Sequence, residues 1–256
     1  MQQGTTQAGE ATVRVHRDPK ELARAAADEA AAVLRVAVTA RGVAHAMFAT
    51  GNSQLAFVHA LVNETARVPW SDVVVLHMDE YVGVGADHPS GFQHWIRTRI
   101  ADPARPKAAF YVDGLRDAGA ECERYAALLR RHPLDLCCLG IGENGHLAFN
   151  DPPVADFSDP LDVKVVTLDA ACRAQQVNEV HFPDLDAVPA EAITVTIPAL
   201  LRAARVLAVV PEGRKAQPVQ AALTGPIATS CPASVLRTVS HATIHLEPGS
   251  ARLLPG

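Results

Sequence analysis

The sequence predicts an α/β fold: a mostly parallel central sheet with helices on both faces. Three observations carry this. Short apolar runs alternate with helical segments along nearly the whole chain. The run 134–139 is apolar but for Asp135, as expected of a central strand covered on both sides. Two polar turns, residues 77–83 and 140–151, leave apolar runs in the same way, and open α/β sheets place their ligands at strand ends.

Taken in order, residues 1–10 are small and polar and are expected to be disordered, leaving 11–256 as a single domain. Residues 19–38 are rich in Ala and Glu with apolar residues at helical spacing, which predicts a helix. The run 46–49 reads as a short strand that ends in Thr50-Gly51-Asn52-Ser53 and feeds a helix over 54–65. Residues 73–76 form the next strand, and 90–100 a helix with Ser90 as its cap. A short strand over 108–112 and a one-sided charged helix over 118–131 precede the central strand. Beyond it come strands at 163–168, 192–197, 205–210 and 242–246, with helical segments at 169–177 and 198–204. The turn 211–215 opens a last helix that ends near Gly225-Pro226. The proline-bearing stretch 151–160 lacks periodicity and reads as a loop, a candidate mobile lid.

At 256 residues the chain supports a full core, and one large domain fits better than two. With 48% hydrophobic and 20% charged residues it has the make-up of a soluble enzyme. A net charge of −5 offers no broad surface for a polyanion, so nucleic acid is not an expected partner. A phosphorylated small molecule needs only a few local donors. The five cysteines show no metal-ligand spacing, and Cys137 and Cys138 fall inside the central strand. They read as reduced core thiols of a cytoplasmic protein. No secretory leader pattern is present, and no apolar stretch approaches the ~20 residues needed to span a bilayer.

Each polar turn has a chemical reading and a plainer one. Thr50, Gly51, Asn52 and Ser53 lie between a strand and a helix, where backbone N–H groups and the Ser53 hydroxyl can hold an anion. Such a turn can also be no more than a helix cap, and it is not a nucleotide fingerprint. Asp79 and Glu80 follow a strand, where a carboxylate can take a proton from a bound substrate. A solvated acidic turn would look the same. Burial would have to raise Asp79 from its usual pKa of about 3.9 to make it a useful base. His146 sits among glycines rather than in a core, suiting it to acid/base work, with Asp151 or Glu143 as orienting carboxylate. It could instead simply brace the loop. A metal held by His146 with His77 or His181 would need convergent ligands that the spacing does not show. Lys215 and Arg173 can each reach a phosphate, or be solvated cations near helix starts.

Taken together these turns resemble the glucosamine-6-phosphate deaminase (isomerase) family, to which 6-phosphogluconolactonases are related. The resemblance runs over about residues 45–220 through Ala49-Thr50-Gly51-Asn52-Ser53, Met78-Asp79-Glu80-Tyr81-Val82-Gly83, 140–152, 188–196 and Gly213-Arg214-Lys215-Ala216. It implies a Rossmann-like three-layer αβα sandwich and an amino-sugar phosphate substrate that loses ammonia to give fructose 6-phosphate. In that reading His146 opens the sugar ring and Asp79 moves a proton between C2 and C1. Asn144 and Asp151 support the histidine. Thr50, Gly51, Asn52, Ser53, Glu80, Gly145, Arg173 and Lys215 line the substrate and phosphate positions. No metal or organic cofactor is implied, and the family includes both monomers and symmetric assemblies, so a homo-oligomer is a possible state. Two positions depart from the pattern. Asn144 stands where aspartate is usual, and Asp151 where glutamate is usual, shortening reach by roughly 1.5 Å. The phosphate-binding arginine expected upstream of Val188-Pro189 is not matched: counting back lands near Glu179, and Arg173 would require a shifted loop. The related lactonases or isomerases, and a sensor that has lost catalysis, are the alternatives.

Overall fold

The computed structural model describes residues 4–64, 68–178 and 182–255. The main sheet has eight strands in the order β1-β2-β11-β10-β7-β3-β4-β6. In chain order these are β1 (Gly4–Ala8), β2 (Ala11–Val15), β3 (Ala44–Phe48), β4 (Val73–His77), β6 (Ala108–Phe110), β7 (Leu136–Leu139), β10 (Arg205–Val210) and β11 (Ala242–Leu246). All pairs are parallel except β1–β2. The helices are α1 (Pro19–Arg41), α2 (Leu55–His59), α3 (Phe92–Ile96), α4 (Asp102–Ala104), α5 (Ala118–Arg131), α6 (Ala170–Asn178), α7 (Ile197–Leu201) and α8 (Ala216–Thr224).

Local chemistry accounts for the best-defined elements. Asp18 caps α1 by accepting from the Glu21 N–H at 2.8 Å, Pro19 occupies its first turn, and Gly42 ends it in the left-handed region. Asp117 caps α5 in the same way through the Ala120 N–H. One apolar cluster packs α1 and α2 on one face of the sheet, and a larger one packs α5, α7 and α8 on the other, which makes the three layers. Among the described residues no helix is long and apolar enough to cross a membrane.

Three expectations need correction. Residues 4–8 are not disordered: β1 pairs antiparallel with β2 through the turn at Gly9. Its polar residues are exposed, so no buried face marked the strand in the sequence. Ser90 does not cap the helix that follows. The N–H groups of Phe92 and Gln93, which open α3, are instead bound by the distant Glu80 carboxylate at 3.1 and 2.6 Å. Finally, not every strand joins the parallel sheet. Asp79–Tyr81 (β5), Val163–Thr167 (β8) and Glu191–Val195 (β9) form a separate antiparallel sheet in the order β5-β9-β8. A βαβ rhythm does not distinguish these arrangements, because apolar strands look alike whichever sheet they join. The helix expected over 54–65 comprises α2 and a wider turn at Ala60–Glu64, with Thr65 outside the described residues.

Candidate active site

The chain runs from β3 outward to β4 and β6, then returns to β7 beside β3 and continues outward to β10 and β11. This reversal leaves a crevice beyond the carboxyl ends of β3 and β7, where such sheets bind ligands. Four connections converge there. Thr50–Ser53 follow β3, Asp79 follows β4, Gly140 to His146 follow β7, and Lys215 follows β10. All of these segments line one cleft enclosing about 640 Å³, part of it open to solvent, walled also by Met78, Phe92, Phe149 and Gln176.

The small antiparallel sheet ties Asp79 to the segment that carries His146. Asp79 on β5 pairs with Thr194 on β9, and the Val195 N–H donates to the Met78 carbonyl at 2.8 Å. From the other side, the Phe149 N–H donates to the Thr194 hydroxyl at 3.1 Å. The Asn150 amide donates to the carbonyls of Leu147 and Val195 at 2.8 and 2.9 Å. One strand therefore holds both the carboxylate and the histidine turn. The buried Thr194 and Asn150 are structural members of the site that sequence reading missed, because neither carries chemistry of its own.

His146 is held on several sides. Its Nδ1 lies 2.9 Å from Asp151 Oδ1, so an ionised Asp151 fixes the proton on Nδ1 and leaves Nε2 to exchange protons in the cleft. The shorter Asp151 side chain makes direct contact, so the turn has closed the missing methylene's gap. Asn144 completes the arrangement: its Oδ1 accepts from the His146 backbone N–H at 3.0 Å and its Nδ2 donates to Asp151 Oδ1 at 2.6 Å. An ionised aspartate at this position could do the first and not the second, and would set two carboxylates against each other. Asn144→Leu is accordingly expected to lower kcat about 10- to 100-fold with little change in KM, since it loosens a proton-transfer group without touching the anion contacts. Steady-state kinetics check it; an equal rise in KM would show that Asn144 acts on binding.

Two glycines are needed for close approach. A Cβ at Gly142 would stand 2.3–2.4 Å from three ring atoms of His146. Gly145 has φ +85°, and a Cβ there would meet Cys231 Sγ at 2.7 Å. Gly145 thus shapes the histidine turn and does not itself line the cleft.

The carboxyls are driven in opposite directions. Burial, reinforced by the charges of Glu80 and Asp151, raises Asp79 well above the usual carboxylate range. Burial would raise Asp151 too, but it is outweighed by the hydrogen bond and charge of His146 and by Asn144 and Cys172, so Asp151 is held low. A proton is therefore kept readily on Asp79 and not on Asp151, as in sites that divide acid and base roles between neighbouring carboxyls. Glu80, next on β5, points to the opposite face and accepts from the backbone N–H groups of Tyr81, Phe92 and Gln93. Burial pushes it up to about 7 against the pull of these donors. Its expected place among substrate contacts is corrected: it braces the loop behind Asp79.

Other expected residues divide similarly. Lys215 is buried and lines the cleft beside Thr50, Gly51, Asn52 and Ser53. Arg173 does not line it; its guanidinium donates to the carbonyls of Leu185 and Val188 and ties down the loop before β9. Glu143 does not orient His146 but pairs with Arg214 at 2.7 Å, joining the turns after β7 and β10. His77 is buried with its Nε2 accepting from the Val112 N–H, and burial lowers it to about 3, so it is a neutral core histidine. Glu179 and His181 lie outside the described residues. Among the described residues no group of three or more His, Cys, Asp or Glu side chains is arranged to hold a metal ion. Gln176 on α6 lines the cleft although nothing in its local sequence marked it.

Residues 17–245 match the family model described as glucosamine-6-phosphate isomerases/6-phosphogluconolactonase. The chain belongs to this family. Among relatives, a glucosamine-6-phosphate deaminase of Exiguobacterium sibiricum is 33% identical over 207 residues, covering 80% of this chain and 79% of that protein. One of Listeria innocua is 31% identical over 231 residues, covering 90% and 96%. Among solved structures, a monomeric glucosamine-6-phosphate deaminase superposes with a TM-score of 0.84 at 29% identity, covering 94% of this chain and 99% of that one. A 6-phosphogluconolactonase from Shewanella baltica gives 0.75 at 19% identity over 94% and 99%, a likeness of fold alone. The family membership agrees with the three-layer αβα architecture expected from the sequence.

Proposed function

We propose that this family member is a glucosamine-6-phosphate deaminase, converting glucosamine 6-phosphate and water to fructose 6-phosphate and ammonia. The observation that carries the reading is the pairing, across one cleft, of a buried high-pKa Asp79 with a His146 whose tautomer is set by Asp151. The phosphate is held at the Thr50–Ser53 turn and Lys215. His146 Nε2 carries the proton from the anomeric hydroxyl to the ring oxygen, opening the sugar. Asp79 takes the C2 proton while the ammonium gives one to the aldehyde oxygen, leaving an enolamine between C1 and C2, and Asp79 returns its proton to C1. C2 then becomes an iminium; water adds to it and ammonia leaves, giving the ketose. Raising the Asp79 pKa brings it toward the operating pH, where a carboxylate both accepts and returns a proton efficiently.

A lactone hydrolysis is the second reading, since the fold also carries lactonases. It needs no group that shuttles a proton between adjacent carbons, and the Asp79 environment is suited to that task. A non-catalytic sugar-phosphate sensor would have no use for either proton-transfer group. The buried thiols of Cys137, Cys138 and Cys172 fit a reducing, cytoplasmic setting.

The deciding experiment is coupled detection of ammonia and ketose phosphate over a panel of hexosamine phosphates. Stoichiometric release of both from glucosamine 6-phosphate is expected. Sugar-phosphate binding without turnover would leave the sensor standing, and lactone hydrolysis without ammonia the second reading. Lys215→Ala is expected to raise KM about 10- to 100-fold with kcat nearly kept, because a contact to phosphate exists before and during reaction. A fall in kcat alone would remove Lys215 from the anion site.

A further inference from the structure

Gln176 is the polar cleft residue that the proposed reaction leaves unused. It is buried on α6, and its Oε1 accepts from the Tyr81 hydroxyl at 2.7 Å. Tyr81 is itself immobilised, with its ring centroid 4.9, 5.2 and 5.3 Å from those of Phe92, Phe149 and Phe182. A fixed phenol that engages the carbonyl end of the amide fixes the other end also. What Gln176 offers to the cleft is therefore Nε2 and its N–H donors.

Its place along the rim follows from the topology. The cleft-lining turns follow β10, β7, β3 and β4, which are neighbours in that order. At roughly 4.8 Å per strand, β10, which leads to Lys215, and β4, which leads to Asp79, lie about 14 Å apart across the sheet. Asp79 and Tyr81 share β5, and alternate residues of a strand face the same way. Gln176, tied to Tyr81, thus sits at the Asp79 end, away from Lys215. In the proposed reaction Asp79 lies against C2, so this end receives the half of the sugar where bonds change.

We infer that Gln176 is a substrate-positioning residue whose amide N–H donates to an oxygen beside C2, on C1 or C3, and holds C2 against Asp79. The inference rests on the proposed deaminase reading and deepens it. Tyr81 acts through Gln176 by setting the orientation of the amide. An ammonium cannot accept this hydrogen bond, so the contact separates the oxygen neighbours of C2 from the nitrogen.

The test combines two variants with two substrate analogues. Gln176→Leu removes the donor and is expected to lower kcat/KM for glucosamine 6-phosphate about tenfold. Gln176→Glu keeps an acceptor for Tyr81 and reverses polarity in the cleft, so a larger loss, about 100-fold, is expected. The loss should vanish when the partner oxygen is missing. Turnover of the 3-deoxy substrate, or inhibition by the 1-deoxy analogue, should be equal in the wild type and Gln176→Leu. If the effects of variant and analogue simply add for both compounds, or if Gln176→Glu is as active as the wild type, Gln176 is structural and the inference is overturned. A wild-type chain that releases no ammonia overturns the deaminase reading itself and this inference with it.

Discussion

Asp79→Asn is expected to lower kcat by about 10³-fold or more and to stop exchange of the C2 proton with solvent, while sugar-phosphate affinity is kept. The same change should make the protein more stable at pH 8. Because burial raises the folded Asp79 above its ordinary value of 3.8, ionising it opposes folding. Between 3.8 and the folded pKa the native state binds more protons than the unfolded chain, so stability falls as pH rises through that window. Asparagine does not titrate and escapes this cost. The Tm advantage of the variant should therefore be largest at pH 8 and shrink as the pH falls. The same shift places the acid limb of the kcat/KM profile well above the ordinary carboxylate range, with activity rising as Asp79 loses its proton. Proton exchange surviving in the variant would remove Asp79 from the base role. A variant less stable than the wild type at pH 8 would contradict the buried-charge account.

Gly142→Ala is expected to be nearly as damaging, although residue 142 performs no chemistry. A methyl group 2.3–2.4 Å from ring atoms of His146 must push the imidazole aside or break its 2.9 Å contact to Asp151. Misplacement by about 1 Å can cost ~10²-fold in rate. We expect a fall of that order in kcat and little change in KM, because the contacts at Thr50–Ser53 and Lys215 are untouched. The decisive comparison is a double-mutant cycle with His146→Gln. If Gly142 acts through the ring, the double variant is no slower than His146→Gln alone. Independent, multiplying losses would assign Gly142 a different role.

The two departures from the family pattern find a common physical account in the turn after β7. Neutral Asn144 can receive from the His146 N–H and donate to Asp151 at once. The shorter Asp151 is buried within direct reach of His146. Together they keep a single negative charge behind the histidine rather than two, and that charge is also one of the influences raising Asp79. The pair is thus coupled electrostatically to Asp79 as well as to its immediate neighbour.

Much of this was readable in one dimension, and the reason is local. Turn glycines, strand runs and cap residues act over a few positions, so the alternating elements and the polar turns carrying Thr50–Ser53, Asp79, His146 and Lys215 are legible in the sequence. Strand β1 was missed because it buries no face, and the other expectations that failed depended on partners distant in sequence. The resemblance set Glu80 among the substrate contacts, whereas the residues alone also allowed it to hold the loop; its partners at α3 lie twelve and thirteen residues away. Arg173 and Glu143 looked available because the carbonyls and the guanidinium that occupy them come from other loops. Gln176 was invisible because its meaning derives from Tyr81, ninety-five residues earlier.

By itself, then, the chain's order of residues determined most of the elements, the family and the chemical groups on offer, since each depends on short-range stereochemistry and residue type. Only the folded arrangement decided which groups meet and in what protonation state. Strand pairing among β5, β9 and β8 is a long-range choice, and it ties Asp79 to the strand that also binds the turn after His146. Burial, which exists only in three dimensions, is what lifts Asp79 out of the ordinary carboxylate range.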